Sequence, residues 1–405
     1  MSSPLAAKHI VLGVTGSIAA YKVADWVRSL KRDGATVTVI MSKGGARFVT
    51  PLTFAALSGN HVHDDMFSMS VAEQIPHIEL AKQCDLLLVA PASADAIARL
   101  AQGLADDLLS TVALATEAPV MLCPAMNSKM FLHPATQANL ARLAEFGYKI
   151  IKPEVGAMAC GDDGPGRLPE WHVARHAILS IFARQDLVGR SVLVTAGPTW
   201  EPLDPVRFLS NRSSGKMGYA IAAAASQRGA AVTLISGPTT LHAPPGVNTI
   251  QITTAQEMYD ETISRAVGID VVVKAAAVSD FRPDSQADQK LKKSSTKANT
   301  ITLHANPDIL QTLGQQKGKC HYPLLVGFAA ESEDHLNEGR RKLREKNLDL
   351  MVVNDITGTD CGFGVDTNRV TLLDYNDATE ELPLLSKEET AHRIWDRVAR
   401  LLDSQ

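Results

Sequence analysis

The sequence has no apolar run long enough to span a bilayer, which speaks against a helical membrane protein. It carries only five cysteines, Cys84, Cys123, Cys160, Cys320 and Cys361, an odd number with no CxxC pair. That argues against a disulfide framework or a zinc site and fits a reducing, cytoplasmic setting. Met1 to Lys8 is too short, ahead of the first strand pattern, for a secretory leader. There is no charge excess either: 40 Lys and Arg against 44 Asp and Glu give a net charge of −4. Nothing pulls the whole chain toward nucleic acid or an anionic membrane, and neither is expected as a partner. The two glycine turns described next are neither GxGxxG nor GxxxxGK[ST], so a standard dinucleotide site or P-loop is not indicated.

What is present suits packed α/β domains. At 405 residues, 45% of them hydrophobic, the chain is long enough for about two or three domains with ample cores. The stretch from Val192 to Gly218, VLVTAGPTWEPLDPVRFLSNRSSGKMG, organises the reading. The β-branched run Val192 to Thr195 predicts a buried strand. Ala196-Gly197-Pro198 breaks it, a polar connection ends in Ser210-Asn211-Arg212-Ser213-Ser214-Gly215-Lys216, and a helical pattern starts at Met217. Strand, glycine-bearing loop and helix start together suit an anion, because free N–H groups and the helix dipole both favour negative charge there. A solvated helix cap has the same local signature. Residues 8–41 show the arrangement once already: a strand to Val14, the turn Thr15-Gly16-Ser17-Ile18-Ala19-Ala20, a helix to Arg32, then a strand from Ala35 to Met41. Gly229-Ala230-Ala231-Val232-Thr233-Leu234-Ile235 echoes Gly34-Ala35-Thr36-Val37-Thr38-Val39-Ile40. The expected fold class is therefore α/β, two doubly wound parallel-sheet (Rossmann/flavodoxin-like) domains in tandem. They should cover residues 1–188 and 189–405, divided near Arg184 to Arg190.

In the first half, Gly16-Ser17, Ser42 and Ala92-Ser93 all follow strand patterns. Ligands of open α/β sheets bind outside the carboxyl ends of strands. Small hydroxyl residues and backbone amides there suit the phosphate and ring edge of a flavin mononucleotide. Lys43-Gly44-Gly45 interrupts the region before a helix expected to run toward Val49; residues 51–59 read as another, stopped by Gly59. Pro76 opens a helix ending at Cys84-Asp85, with His77 at its start, where the dipole would keep an imidazole neutral and able to act as a base. Most of the 12 histidines must nonetheless be surface or packing residues. Leu86 to Ala90, LLLVA, reads as a strand covered on both faces, and Pro119 to Cys123 as another leading into Pro124-Ala125-Met126-Asn127. Met158 to Arg167, with three glycines and a proline, reads as a loop. Cys84 and Cys123 adjoin apolar runs, as small buried hydrophobes do. Cys160 does not, and a thiol on a flap can close over a ligand and supply a proton.

In the second half, Thr254 is placed to cap a helix beginning at Ala255. Asp270 to Ala277 reads as a strand with Asp280 just past its end; such a carboxylate holds Mg2+ or a ribose, or else caps a turn. Lys290-Leu291-Lys292-Lys293 is either a solvated face or a clamp on a triphosphate. Asn306 to Leu310 reads as a helix N-terminus, and Leu324 to Glu331 as strand then turn, with Phe328 facing a base or the core. Helix 333–346 carries Arg340, Arg341, Lys342, Arg344 and Lys346. Strands at 348–353 and 369–375 and an amphipathic helix at 386–402 complete the chain.

Several first-half motifs resemble the homo-oligomeric flavin-containing cysteine decarboxylases: Gly16 to Lys22, His77-Ile78-Glu79-Leu80, Ala90-Pro91-Ala92-Ser93-Ala94-Asp95, Pro124-Ala125-Met126-Asn127 and Ala159-Cys160-Gly161. The resemblance implies His77 as base, Asn127 on the substrate carboxylate and Cys160 as proton donor. It implies FMN contacts at Gly16, Ser17, Ile18, Ser42, Ala92, Ser93 and Ser110. The implied chemistry oxidises the thiol of a C-terminal cysteine amide, so that a thioaldehyde beta to the carboxylate accepts the electrons left by CO2.

In the second half, Thr195 to Thr199, Glu201 to Arg207, Ser210 to Gly218, Ala275 to Asp280, Lys290 to Lys293, Asn306 to Ile309, Val326 to Glu331 and Lys342 to Asn347 resemble the phosphopantothenate–cysteine ligases. End to end, the chain is similar to the bacterial bifunctional coenzyme A biosynthesis proteins. The resemblance implies attack of the 4′-phosphopantothenate carboxylate on the α-phosphate of CTP, then attack of cysteine's amine on the acyl-cytidylate. Lys290 would contact triphosphate and intermediate, and Asn211 would serve acyl transfer. Ala275, Ala276, Asp280, Pro307, Asp308, Ile309, Leu310, Phe328, Lys342 and Lys346 would surround the nucleotide, with Mg2+ accompanying CTP and Asp280 as its candidate ligand. The expected partners are the small molecules 4′-phosphopantothenate, L-cysteine and CTP, and further copies of the chain through interfaces in both halves. A flavoprotein reductase with a nucleotide-binding regulatory half, which would consume NAD(P)H, and a ligand-binding interaction module without catalysis are the rival readings.

Overall fold

The computed structural model describes residues 4–67, 76–158, 161–290, 300–318, 322–331, 335–355 and 364–404. The chain divides into two compact units, one over Ser2–Ile181 and one over Phe182–Gln405. The division falls just before the stretch from Arg184 to Arg190.

Among the described residues, the first unit contains strands β1 (His9–Val14), β2 (Thr36–Met41), β3 (Val62–His63), β4 (Leu86–Ala92), β5 (Val120–Pro124) and β6 (Lys149–Ile150). They form one sheet in the order β3-β2-β1-β4-β5-β6, with every pairing parallel. Continuous apolar runs dictate this: all seven residues of β4 are buried, as a strand covered on both faces requires. The order reverses between β1 and β4, and a crevice at the carboxyl edge follows from that reversal. Val11, Leu87, Val89 and Leu122 pack with Ile97 and Leu100 of the helix Ala94–Gln102 and with Leu140 and Leu143 of the helix Pro134–Glu145.

Two local expectations change. The helix expected toward Val49 is a single 3-10 turn, Gly45–Arg47. Met158 to Arg167 is not simply a loop: Glu154–Ala157 and Asp163–Arg167 pair as an antiparallel hairpin. A strand spelled Asp-Gly-Pro-Gly-Arg has no apolar alternation to betray it.

The second unit contains β7 (Ser191–Ala196), β8 (Ala231–Ser236), β9 (Asn248–Gln251), β10 (Val271–Lys274), β11 (Leu324–Glu331), β12 (Leu350–Asp355), β13 (Val370–Asp374) and β14 (Thr379–Glu381). Their order is β9-β8-β7-β10-β11-β12-β13-β14. The pairings from β9 through β12 are parallel. The doubly wound expectation holds that far; β13 and β14 then join antiparallel. Successive residues of β7 serve opposite faces, as a strand period of two demands. Val192 and Val194 join one cluster with Ile221 of the helix Lys216–Gln227 and Ile394 and Trp395 of the helix Lys387–Asp403. Leu193 joins the other with Met258 and Leu313. The expected strand 270–277 ends at Lys274, where Ala275 to Asp280 peels away as the wall of a cavity. Thr254 caps its helix through a full capping box with Glu257. Among the described residues no helix is long and apolar enough to cross a membrane.

Candidate active sites

In the first unit, the ends of β1, β2 and β4 meet at the carboxyl edge. Thr15 joins two of them. Its buried hydroxyl donates to the Pro91 carbonyl at 2.6 Å and accepts from the Ser93 amide at 2.8 Å. The helix Ala20–Arg32 starts at Ala19, which brings no side-chain cap; the Ala20 and Lys22 amides donate to the Ser17 and Ala19 carbonyls at 3.0 Å each, and the positive end of the helix dipole faces the turn at Gly16 and Ser17, where it favours an anion. Ser42 accepts from the Gly45 amide at 3.1 Å. Gly44 explains the interrupted helix: a Cβ on Gly16 would lie 3.3 Å from the Gly44 Cα, so the two turns press backbone to backbone. Ser93 caps the helix Ala94–Gln102, accepting from Ala96 at 3.3 Å. Ile18 is exposed, whereas Ser110 is buried and its hydroxyl lies 2.8 Å from the Asp107 carboxylate, to which it donates.

His77 sits in the first turn of the helix Pro76–Gln83, with its Nδ1 buried and without a hydrogen-bond partner among the described residues. Asn127 caps the helix Ser128–Leu132; its Oδ1 accepts from Lys129 at 2.9 Å and its Nδ2 donates to Asp162 at 2.7 Å. Asp162 belongs to the turn of the hairpin, which rests on the Asn127 loop through the Met126 amide, a donor to the Gly166 carbonyl at 2.9 Å. A Cβ on Gly166 would overlap the Met126 carbonyl oxygen, so only glycine permits the contact. Cys160, with Ala159, lies outside the described residues. Cys123 is fully buried, which pushes its thiol far up, and burial also raises Cys84; both are packing residues.

In the second unit, two cavities open at the carboxyl edge. The first, about 520 Å³, is walled by Asn211 to Gly218 on one side and Lys274 to Val278 on the other. The second, about 280 Å³, is walled by Asn306 to Leu310 and by Lys342 and Lys346. Asp280 and Phe328 line both, and Phe328 also packs against the core. Ala275 and Ala276 line the first cavity only, while Pro307, Asp308, Ile309 and Leu310 line the second. Lys290 is exposed and lines neither cavity; Leu291 to Lys293 lie outside the described residues.

Buried hydroxyls hold these walls. Thr195 accepts from the Ala276 amide at 3.3 Å, and Thr199 from the Ser279 amide at 3.0 Å. Asn211 donates to the carbonyls of Ala277 and Val278 at 3.2 and 3.1 Å, tying the two walls of the first cavity together. Asp308 caps the helix Ile309–Lys317, accepting from Gln311 at 3.0 Å, and meets Lys346 at 2.6 Å. The Oδ1 atoms of Asn354 and Asn368, both on the first cavity, are buried without partners among the described residues. Two acceptors left open beside lysines suit a substrate carrying N–H or O–H groups as well as anionic ones. Neither asparagine, nor Thr15, nor Asp162, nor Lys274 stood out in the sequence. Lys274 alone left a trace, a charge ending the apolar run Val271-Val272-Val273.

Residues 1–182 match the model of the family described as Flavoprotein. Residues 187–402 match that of the DNA/pantothenate metabolism flavoprotein C-terminal domain. The chain is 46% identical over 399 residues to the coenzyme A biosynthesis bifunctional protein CoaBC of Vibrio vulnificus (strain CMCP6), covering 98% of this chain and 99% of that relative. It is 44% identical over 404 residues to the protein of the same name from Escherichia coli (strain K12), covering 99% of each. A solved C-terminal domain of a coenzyme A biosynthesis bifunctional protein CoaBC is 42% identical, covering 55% of this chain and 100% of that one with a TM-score of 0.47.

Proposed function

The chain belongs to the family of coenzyme A biosynthesis bifunctional proteins, and from that membership we infer how its two units divide the chemistry. The protein is a carbon–nitrogen ligase and a carboxy-lyase. It joins cysteine to 4′-phosphopantothenate through an acyl-cytidylate formed from CTP, then decarboxylates 4′-phosphopantothenoylcysteine to 4′-phosphopantetheine. Residues 1–188 take the decarboxylation and residues 189–405 the ligation. The observation that carries this division is that each unit has its own parallel sheet with its own candidate site at the carboxyl edge.

In the ligase unit, a carboxylate oxygen bonds to the α-phosphorus of CTP as the α–β P–O bond breaks and pyrophosphate leaves. The amine of cysteine then bonds to the acyl carbon, the C–O bond to the cytidylate breaks, and the amine gives up a proton. The first cavity takes the acyl substrate, with Asn211 fixing its walls beside the acyl carbon, and also the part of the nucleotide that lies along Ala275 and Ala276. The second takes the nucleotide against Pro307 to Leu310, with Lys342 and Lys346 on its phosphates. Lys290 reaches the triphosphate from outside both cavities. Mg2+ fits as an ion carried in by the nucleotide. Among the described residues no group of three or more His, Cys, Asp or Glu could hold a metal, and Mg2+ usually keeps one or two carboxylates plus substrate phosphates. Asp280, lining both cavities, is the carboxylate available to it.

In the decarboxylase unit, the uncapped helix start beside Gly16-Ser17, the Ser42 turn and Ala92-Ser93 fit the phosphate and ring of FMN. FMN supplies the two-electron oxidation of the substrate thiol and its reversal. His77, with an open ring nitrogen, takes a proton. Asn127 gives its amide, now on Asp162, to the substrate carboxylate. Cys160 supplies the closing proton. Exposed Ile18, Tyr21 and Leu52 in one unit and Phe208, Phe281 and Leu303 in the other support contacts with further copies in both halves.

The test uses the purified full-length protein. It should be yellow from FMN, release pyrophosphate only when CTP and 4′-phosphopantothenate are present, and release CO2 once cysteine is added. Consumption of NAD(P)H, or CTP binding with no pyrophosphate, would refute this reading.

A further inference from the structure

The two cavities of the second unit share Lys274, Val278, Asp280, Phe328 and Ala329, so their common wall carries one positive and one negative side chain. The other lysines nearby are engaged: Lys216 with Asp366 at 2.6 Å, Lys346 with Asp308 at 2.6 Å, and Lys387 with the Val365 carbonyl. The Lys274 side chain is half-buried and forms no hydrogen bond or ion pair with a described residue. Burial pushes its ammonium down to about 8, with Asp308 and Asp280 pulling it up and Lys346 and Lys342 pushing it down. Near neutral pH it is still a cation, withdrawn from water and lacking an anion of its own.

We propose that Lys274 is the counter-charge shared by the two anionic substrates of the ligase reaction, and that it decides whether one helps or hinders the binding of the other. This rests on the ligase reading of the second unit. A carboxylate must approach the α-phosphate, and both are negative. A cation on the common wall attracts each of them, offsetting the repulsion between them, which in a protein interior is far larger than in water. A lysine serving one cavity would change one affinity only. A lysine facing both changes the coupling between the affinities, and that coupling is reciprocal.

The experiment measures, by calorimetry on the full-length protein, the affinity of α,β-methylene-CTP with and without saturating 4′-phosphopantothenate, and the converse. The methylene bridge cannot be cleaved, so binding is read without turnover. In the wild type, each ligand should leave the other's affinity within about threefold or improve it. In Lys274→Met, each should weaken the other by about tenfold, which is about 1.4 kcal/mol. Lys274→Arg should keep the wild-type coupling, and Lys274→Gln should behave as the methionine variant if packing is not the cause. Equal loss of affinity for either ligand alone, with coupling unchanged, overturns the proposal. So does unchanged binding in every variant. Failure of the wild type to bind the analogue at all instead overturns the ligase reading beneath it.

Discussion

Replacing Gly166 by alanine should disable decarboxylation while sparing ligation. The hairpin strand Asp163–Arg167 lies against the Asn127 loop, and Gly166 is the point of closest approach. Its φ of +148° lies where a side chain is strained, and a Cβ would overlap the Met126 carbonyl oxygen. Two responses are open to the variant. If the hairpin stays, the backbone strain costs about 1–3 kcal/mol before the overlap is relieved. If it lifts, the Met126–Gly166 bond is lost, at about 0.5–1.5 kcal/mol, and the Asn127 loop loses the strand it rests on. Either way the arrangement with the hairpin seated on the Asn127 loop is disfavoured by about 1–3 kcal/mol, lowering its population about 5-fold to 160-fold. The assay is CO2 release from preformed 4′-phosphopantothenoylcysteine, run beside pyrophosphate release from CTP and 4′-phosphopantothenate. Flavin absorbance should survive, because the Ser42 and Ser93 turns are untouched. Wild-type CO2 release would refute the idea that this hairpin must sit on the Asn127 loop for turnover.

Cys160→Ser should abolish CO2 release and leave pyrophosphate release intact; loss of both would count against two separate sites. Thr15→Val keeps the shape but strips the Pro91 and Ser93 partners, at about 1–3 kcal/mol. FMN should then dissociate about 5-fold to 160-fold more readily, read as flavin fluorescence in the filtrate, and unchanged retention would show that Thr15 does not hold the two strand ends. Burial pushes the His392 imidazole below its usual value, with Arg228 adding to this and Glu388, Asp396 and Asp186 opposing. Its folded pKa is the lower one, so stability should be lost as pH falls below about 6.5, where the unfolded chain takes up the proton first. Thermal midpoints compared at about pH 7.5 and about pH 5.5 should fall less in His392→Gln than in the wild type; parallel falls would clear this residue.

The central strands and the doubly wound parallel class were legible because buried parallel strands are written as largely apolar runs, as in β1 and β4; the short edge strands β3, β6, β9 and β14 carry no such run and were not. The glycine turns were legible for a related reason: helix starts and strand ends carry local signatures. The hairpin at Glu154–Ala157 and Asp163–Arg167 was not, since its glycines serve a contact with Met126 that is remote in sequence. Asp308 and Phe328 could be placed from their neighbours. Lys274 could not be recognised as a two-cavity residue, because nothing in Val-Val-Val-Lys says which loops will stand on either side of it. Motifs located the walls; the connections between walls, made by Thr15, Thr195, Thr199 and Asn211, became visible only once strand ends far apart in the chain were brought together.

The helix Lys387–Asp403 lies against the helix Lys216–Gln227, and Trp395 donates its indole N–H to the Ile221 carbonyl at 2.9 Å. The wall that begins at Asn211 is thus braced by a helix synthesised after every other described element of the unit. Since domains generally fold as units and the N-terminal one first, flavin capture can begin while the nucleotide pocket is still unbraced. A half-made chain would therefore be a decarboxylase in waiting before it could be a ligase, the reverse of the order in which the finished enzyme uses them.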